Sequence, residues 1–415
     1  MPIRSALPQN YILNPGTLFE DFGTINDWTK SGTDPIGTVT ADTTNVKLGS
    51  AAVRLTVNTA SSNVTAIRTV GKVFSDSTLF HFWLFNPYEE PANIIDQLQV
   101  SLSTTTNYSK YFTITFGYGL KPFVPGWNHL VFHASEFTNT GGAVWTDPVV
   151  RMTFRIYART GQTCYITLDN MFYAQASMPR CLLTFDDTFD TVYSAAFAKM
   201  NPLGLRGTIY ITKNIIIAGT GICGAALTIP HINEMYEAGW AVCNHTVTHA
   251  YMDVLSQAQI EDELWECYEW LVENGWTRAA KHVAFPYGRP ITAAMLAALS
   301  AFGAVTQRTS YPVLQGVPAG NNYLLRSKQM GEATTLATAQ GWVDAAIRNE
   351  MTLNLFGHSI ADGHEADPNY WGSTKFTGLI DYIVARKIPC VTIDEWYKGL
   401  TNPRYRSVPM SRVSV

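Results

Sequence analysis

Charge is scarce in this chain: only 15% of its 415 residues are charged, and the formal net charge is -4. A sparsely charged, slightly acidic surface excludes a nucleic-acid partner held by phosphate neutralisation, which needs clustered Lys and Arg. No run of eighteen or more apolar residues occurs, so no segment reads as a membrane-spanning helix. The opening, MPIRSALPQNYILNP, lacks an apolar core and a cleavage site, and does not read as a secretion signal. Cys164, Cys181, Cys223, Cys243, Cys267 and Cys390 form no CxxC pair. Their scatter points to buried free thiols rather than a disulfide framework. No periodic internal repeat is present.

Apolar and aromatic residues are plentiful, at 46% and 12%. That composition excludes wholesale disorder. The length exceeds what one hydrophobic core usually supports, so two domains are expected. Residues 1–177 read as short alternating runs (SAAVRLTV, STLFHFWLF, QLQVSLST, YFTITFGY, NHLVFHA, VRMTFRIYA, CYITLDNMFYA) separated by Gly, Asn, Pro, Asp and Thr clusters. Many short strands without a convincing helix predict an all-β jelly-roll sandwich.

From Cys181 onward the pattern changes to apolar strands alternating with amphipathic helices. CLLTFDD, GTIYIT, WAVCNHT, HVAFPYG, AVTQRT, TLNLFGHS and PCVTI read as buried parallel strands. The clearest helix follows Ser256, which with Gln259 makes a capping box; Ile260, Leu264, Cys267 and Leu271 form its apolar stripe, and Gly275 stops it. Repeated βα units predict a parallel α/β sheet, open or closed into a barrel, over residues 178–400. Residues 401–415 read as an extended, mildly basic tail.

In such folds chemistry collects at the carboxyl ends of strands. There the sequence places Asp186-Asp187 after the first strand, His245 and His249 after the third, Pro286-Tyr287-Gly288 after the fourth and His358 after the sixth. Singly these are commonplace, an N-cap, a surface HxxxH pair at helical spacing or a buried histidine; at the ends of different strands they form a set. Two neutral imidazoles and one carboxylate make a three-ligand site with open positions, suited to zinc or another divalent ion. Asp187, His245 and His249 are the expected ligands. Adjacent side chains on an extended segment diverge, so Asp186 is free to act as general base.

In order, TFDD, NHTVTH, FPYG, LFGH and VTIDEW resemble the polysaccharide deacetylases of carbohydrate esterase family 4, with their NodB homology domain, over about residues 180–398. The resemblance implies a distorted (β/α)7 barrel that hydrolyses N- or O-linked acetyl groups of a polysaccharide. It assigns the base to Asp186, the metal to Asp187, His245 and His249, and the acid to His358. It also implies an oxyanion donor in the Tyr287 backbone N–H and an acetyl-methyl pocket shaped by Leu355. Zinc is the expected ion, with Co2+, Ni2+ or Mn2+ as substitutes. Two departures stand out: Thr188 replaces the usual glycine after the aspartate pair, and Ala284 stands where many members carry an arginine. Arg326 is the expected replacement tether for the base.

Tyr370 and Trp371 are candidate sugar platforms, with Asp362 and His364 as weaker polar contacts. The amino-terminal half resembles carbohydrate-binding jelly rolls, with Trp28, Trp127 and Trp145 as candidate platforms and a plain adaptor as the rival role. The expected partner is an acetylated polysaccharide outside the cell, met by a secreted or phage-tail protein. The rival functions are an idle glycan-binding or tail component retaining the fold, and a hydrolase of non-sugar amides.

Overall fold

The computed structural model describes residues 17–89, 93–117, 125–175, 179–221, 224–312, 314–315, 322–363 and 367–401. Cys223, His364 and the 402–415 stretch of the expected tail lie outside them. The chain divides into two compact units, Met1–Ala176 and Ser177–Val415.

The first unit is all-β. Its strands are β1 (Thr17–Glu20), β2 (Trp28–Ser31), β3 (Thr38–Asp42), β4 (Ala52–Val57), β5 (Asn63–Lys72) and β6 (Thr78–Asn86). They continue with β7 (Ile95–Ser103), β8 (Tyr111–Gly117), β9 (Gly126–His133), β10 (Thr138–Thr140), β11 (Val149–Ala158) and β12 (Cys164–Gln175). Two six-stranded antiparallel sheets result, one ordered β3-β4-β12-β6-β9 with β1 added to β12, the other β10-β8-β7-β11-β5-β2. Strand alternation makes the layers: Phe80, Phe82 and Leu84 of β6 enter the shared core, and the residues between them take the other face. Each fully buried aromatic contributes roughly 1.5–3 kcal/mol.

That core absorbs two of the three candidate tryptophans. Trp28 is buried and stacks on Phe22 at 5.0 Å. Trp145 lies flat on Phe112 at 3.7 Å and packs against the core. Trp127 stands on the opposite face of β9 from Leu130 and Phe132, beside Phe85 at 5.5 Å.

The second unit holds β13 (Arg180–Phe185), β14 (Thr208–Ile211), a small hairpin of β15 (Thr220–Gly221) and β16 (Gly224–Ala225), β17 (Ala241–Asn244) and β18 (His282–Ala284). Then come β19 (Thr306–Arg308), β20 (Lys328–Met330), β21 (Thr352–Gly357), and the short pair β22 (Ser359–Ile360) and β23 (Tyr370–Trp371). Seven strands form one parallel sheet in the order β19-β18-β17-β14-β13-β21-β20. That is chain order around a (β/α) barrel left open between β19 and β20, where among the described residues a single bridge, Arg308 to Leu325, is made. The strand that completes the seven is Lys328–Met330, sixth in chain order, and not PCVTI. The latter makes one bridge, Cys181 to Cys390, before Ile393–Thr401 turns helical, so His358 follows the last strand in sequence rather than the sixth.

Alternation sorts these strands too. Leu183, Ile209, Val242, Leu353 and Leu355 face the helices; Leu182, Tyr210 and Cys243 face the barrel interior. The helix Gln257–Glu273 has its Ser256–Gln259 capping box and buries Ile260, Leu264, Cys267 and Leu271, as their spacing requires. Among the described residues no helix is long and apolar enough to cross a membrane.

Candidate active site

Asp186 and Asp187 leave the end of β13 and diverge. Asp186 stays registered with the sheet through its N–H, which donates to Gly357 O at 2.9 Å. Asp187 and Thr188 both turn left-handed, with φ of 61° and 58°. Thr188 thus occupies the conformation glycine adopts without cost, and the turn is held by Leu227 N–H donating to Thr188 O at 2.7 Å.

His245 and His249 meet without a helix between them. The segment after β17 is an irregular loop in which Thr246 and His249 take positive φ, 72° and 60°. Glu263, on the following helix, accepts from Val247 N–H and Thr248 N–H at 2.8 and 2.9 Å. The expected helical face is replaced because this carboxylate and two left-handed residues curl the loop back on itself.

Three ligand atoms converge. Asp187 Oδ1 is 3.2 Å from His245 Nε2 and 2.9 Å from His249 Nε2, and all three candidate atoms lie within 4.8 Å of one another. His245 Nδ1 bonds Ala284 O at 2.6 Å. Both nitrogens of His245 therefore face acceptors. Such a ring is either an imidazolium or, with its proton on Nδ1, offers the Nε2 lone pair to a cation lying between it and the carboxylate. Without an ion, burial pushes the Asp187 carboxyl up, but its bonds to His245 and His249 hold it well below the usual carboxylate range. Burial likewise pushes His245 down, and Asp187 raises it above the ordinary imidazole value. The donor set fits a divalent ion, and Asp187, His245 and His249 are the residues that would hold it.

Asp186 has an arginine partner other than the expected Arg326. Arg308 Nη2, at the end of β19, donates to Asp186 Oδ2. Its guanidinium lies over the rings of Phe356 at 4.5 Å and Tyr210 at 5.4 Å. Arg326 instead donates to Leu314 O at 3.4 Å and does not line the cavity, because it leaves the chain in the connection before β20. The available signal was a cation ending an apolar strand, in VTQRT. With Oδ2 engaged, Asp186 Oδ1 is buried and has no hydrogen-bond partner among the described residues. His358 Nε2 lies 3.7 Å from Asp187 Oδ2, and its buried Nδ1 is likewise unpartnered among them.

These groups line a cavity of about 550 Å³, together with Tyr287, Ser310, Gln329, Phe356 and Asn369. Three expected substrate residues are elsewhere. Leu355 is fully buried among the helices, since strand alternation gives the cavity Phe356. Trp371 is also fully buried, its indole N–H donating to Thr334 O at 2.8 Å. Tyr370 is buried against Phe189. Asp362 is exposed and outside the cavity lining.

Residues 174–306 match the family model for polysaccharide deacetylase, and this stretch is a domain of that family. The match contains Asp186, Asp187, His245, His249 and Tyr287, and ends before Arg308 and His358. No curated protein matches the chain. Among solved structures, a family 4 carbohydrate esterase from Streptomyces lividans in complex with acetate is 15% identical, over 51% of this chain and 91% of its own, with a TM-score of 0.36. The chitin deacetylase of the fungal pathogen Colletotrichum lindemuthianum is 16% identical over 53% and 87%, at 0.38. A family 11 carbohydrate-binding module from Clostridium thermocellum is 12% identical over 37% and 92%, at 0.29.

Proposed function

We propose that the chain is a metal-dependent deacetylase of an acetylated polysaccharide. The observation that carries this reading is the convergence of Asp186, Asp187, His245, His249 and His358 on one cavity at the carboxyl ends of barrel strands, within a polysaccharide deacetylase domain. A divalent ion held by Asp187, His245 and His249, zinc being the best match to two imidazoles and a carboxylate, supplies Lewis acidity toward water and a carbonyl oxygen.

The chain's own groups supply the proton traffic. Arg308 occupies one oxygen of Asp186 and leaves Oδ1 as the acceptor for a proton from the attacking water. The Tyr287 N–H is the oxyanion donor, a contribution typically worth roughly 3 kcal/mol. His358, which lines the same cavity, returns a proton to the departing nitrogen or oxygen. An amine leaves poorly unless protonated, so N-deacetylation depends on His358 more steeply than O-deacetylation.

The site of action is outside the cell, where acetylated glycans are met, and the sandwich unit serves as a glycan-binding or adaptor module. The test is acetate release from N- and O-acetylated polysaccharides. Chelation should abolish it and a divalent metal restore it. Release surviving both chelation and Asp187→Ala would refute the reading.

A further inference from the structure

The turn Pro286–Gly288 displays a ring that the proposed chemistry does not use. Tyr287 is 52% exposed and lines the cavity, and its backbone is left-handed at φ 64°. For a bulky residue that conformation is costly, roughly 1–3 kcal/mol, so the surroundings must hold it there. One face of the ring lies on Tyr251, with centroids 4.0 Å apart and planes 24° from parallel. Behind Tyr251 stands Arg289, its guanidinium carbon 4.6 Å from the ring centre, and Arg289 in turn meets Asp253 at 3.4 Å. Tyr251 does not line the cavity; it backs the ring that does.

With Tyr251 stacked on one face, more than half of Tyr287 is still open. His249 meets the ring at 4.7 Å, tilted by 62°, so that open surface borders the metal-ligand cluster.

We propose that the Tyr287 ring, buttressed by Tyr251 and Arg289, is a stacking platform for a neutral pyranose of the polymer next to the acetylated residue; this rests on the deacetylase reading. A pyranose carries its C–H bonds on its faces and its hydroxyls around the edge, so it packs on an aromatic face while its edge meets polar groups. Ser310 and Gln329 line the same cavity and supply such groups. The sugar is neutral because Arg308, among the described residues the only Lys or Arg lining the cavity, is engaged by Asp186, and Arg289 is engaged by Asp253. The stack is already assembled, so little side-chain freedom is lost on binding.

The test uses the full chain with three probes: fully N-acetylated chitotetraose, O-acetylated xylotetraose and 4-nitrophenyl acetate, which has no sugar to stack. Tyr251→Ala should raise KM for the tetrasaccharide that is turned over about tenfold, the size of one aromatic contact, with kcat, ester hydrolysis and melting temperature unchanged. Arg289→Ala should act in the same direction more weakly, and Tyr251→Phe should behave as wild type because the face is what backs Tyr287. An unchanged tetrasaccharide KM in Tyr251→Ala and Arg289→Ala overturns the platform alone. So does an equal loss on the ester, which would place Tyr251 in support of the metal cluster. If the wild-type protein hydrolyses the ester but releases acetate from neither tetrasaccharide, the deacetylase reading falls and the platform with it.

Discussion

At the scale of single residues, Arg308 governs Asp186, the proposed base. Its guanidinium is 4% exposed and sits between Tyr210 and Phe356, so Asp186 is a buried carboxylate with one buried cation to oppose it. Removing one member of such a pair typically costs 3–5 kcal/mol. Arg308→Met should therefore lower melting temperature and reduce kcat/KM at least about 100-fold, whereas Arg326→Met should leave acetate release unchanged. Equal effects of the two substitutions would refute this division of roles. Thr188 is the second informative residue: a β-branched side chain at φ 58° is strained, and among the described residues its hydroxyl bonds only locally, to Asp187 O at 2.7 Å. Thr188→Gly should raise stability by about 0.5–1 kcal/mol in denaturant melts, the relief of strain exceeding glycine's entropy in the unfolded chain.

At the scale of elements, the loop joining β17 to the helix Gln257–Glu273 shows how two histidines four residues apart converge without a helical turn. Glu263 takes the amides of Val247 and Thr248 and the Thr248 hydroxyl, which fixes the loop from outside the ligand set. Glu263→Ala should weaken metal binding roughly 10–100-fold in calorimetric titration while circular dichroism keeps its helical signal. The segment around β23 makes the opposite point. Trp371 is core, so Trp371→Ala should cost about 3–5 kcal/mol and leave KM for glycan unchanged in whatever folded protein remains.

At the scale of the whole molecule, two buried carboxylates tie the stability of the sandwich unit to pH. In the sandwich, burial pushes the Asp34 carboxyl up, but the Thr59 amide and hydroxyl and the amides of Asn58 and Ile36 outweigh it and hold it at about 2. Asp42 is likewise held low, burial being outweighed by Asn45, Thr167 and Arg54. A carboxyl whose folded value lies below its unfolded one stabilises the fold fully above the unfolded value, and that stabilisation is lost as pH falls through the folded value. For Asp34 the window runs from about 4 down to about 2. Melting of the full chain should show the sandwich transition dropping across that window, and Asp34→Asn should lower the transition at pH 7 while flattening its acid dependence.

Much of this was legible in the sequence because it depends on neighbours in the chain. Period-two alternation identified the sandwich, apolar runs between amphipathic segments identified the α/β half, and Ser256 with Gln259 located a helix start. The set Asp186, Asp187, His245, His249 and His358 was readable because each follows an apolar strand, and a parallel sheet brings strand ends together. What the chain order could not decide was which face and which neighbour. Whether Arg308 or Arg326 reaches Asp186 depends on β19 ending at the cavity. Phe356 rather than Leu355 lines it because the side-chain period of a strand is two and a shift of one residue reverses the face. Tyr370, Trp371, Trp28 and Trp145 proved to be packing, because burial is set by elements far apart in sequence, which only the tertiary fold brings together.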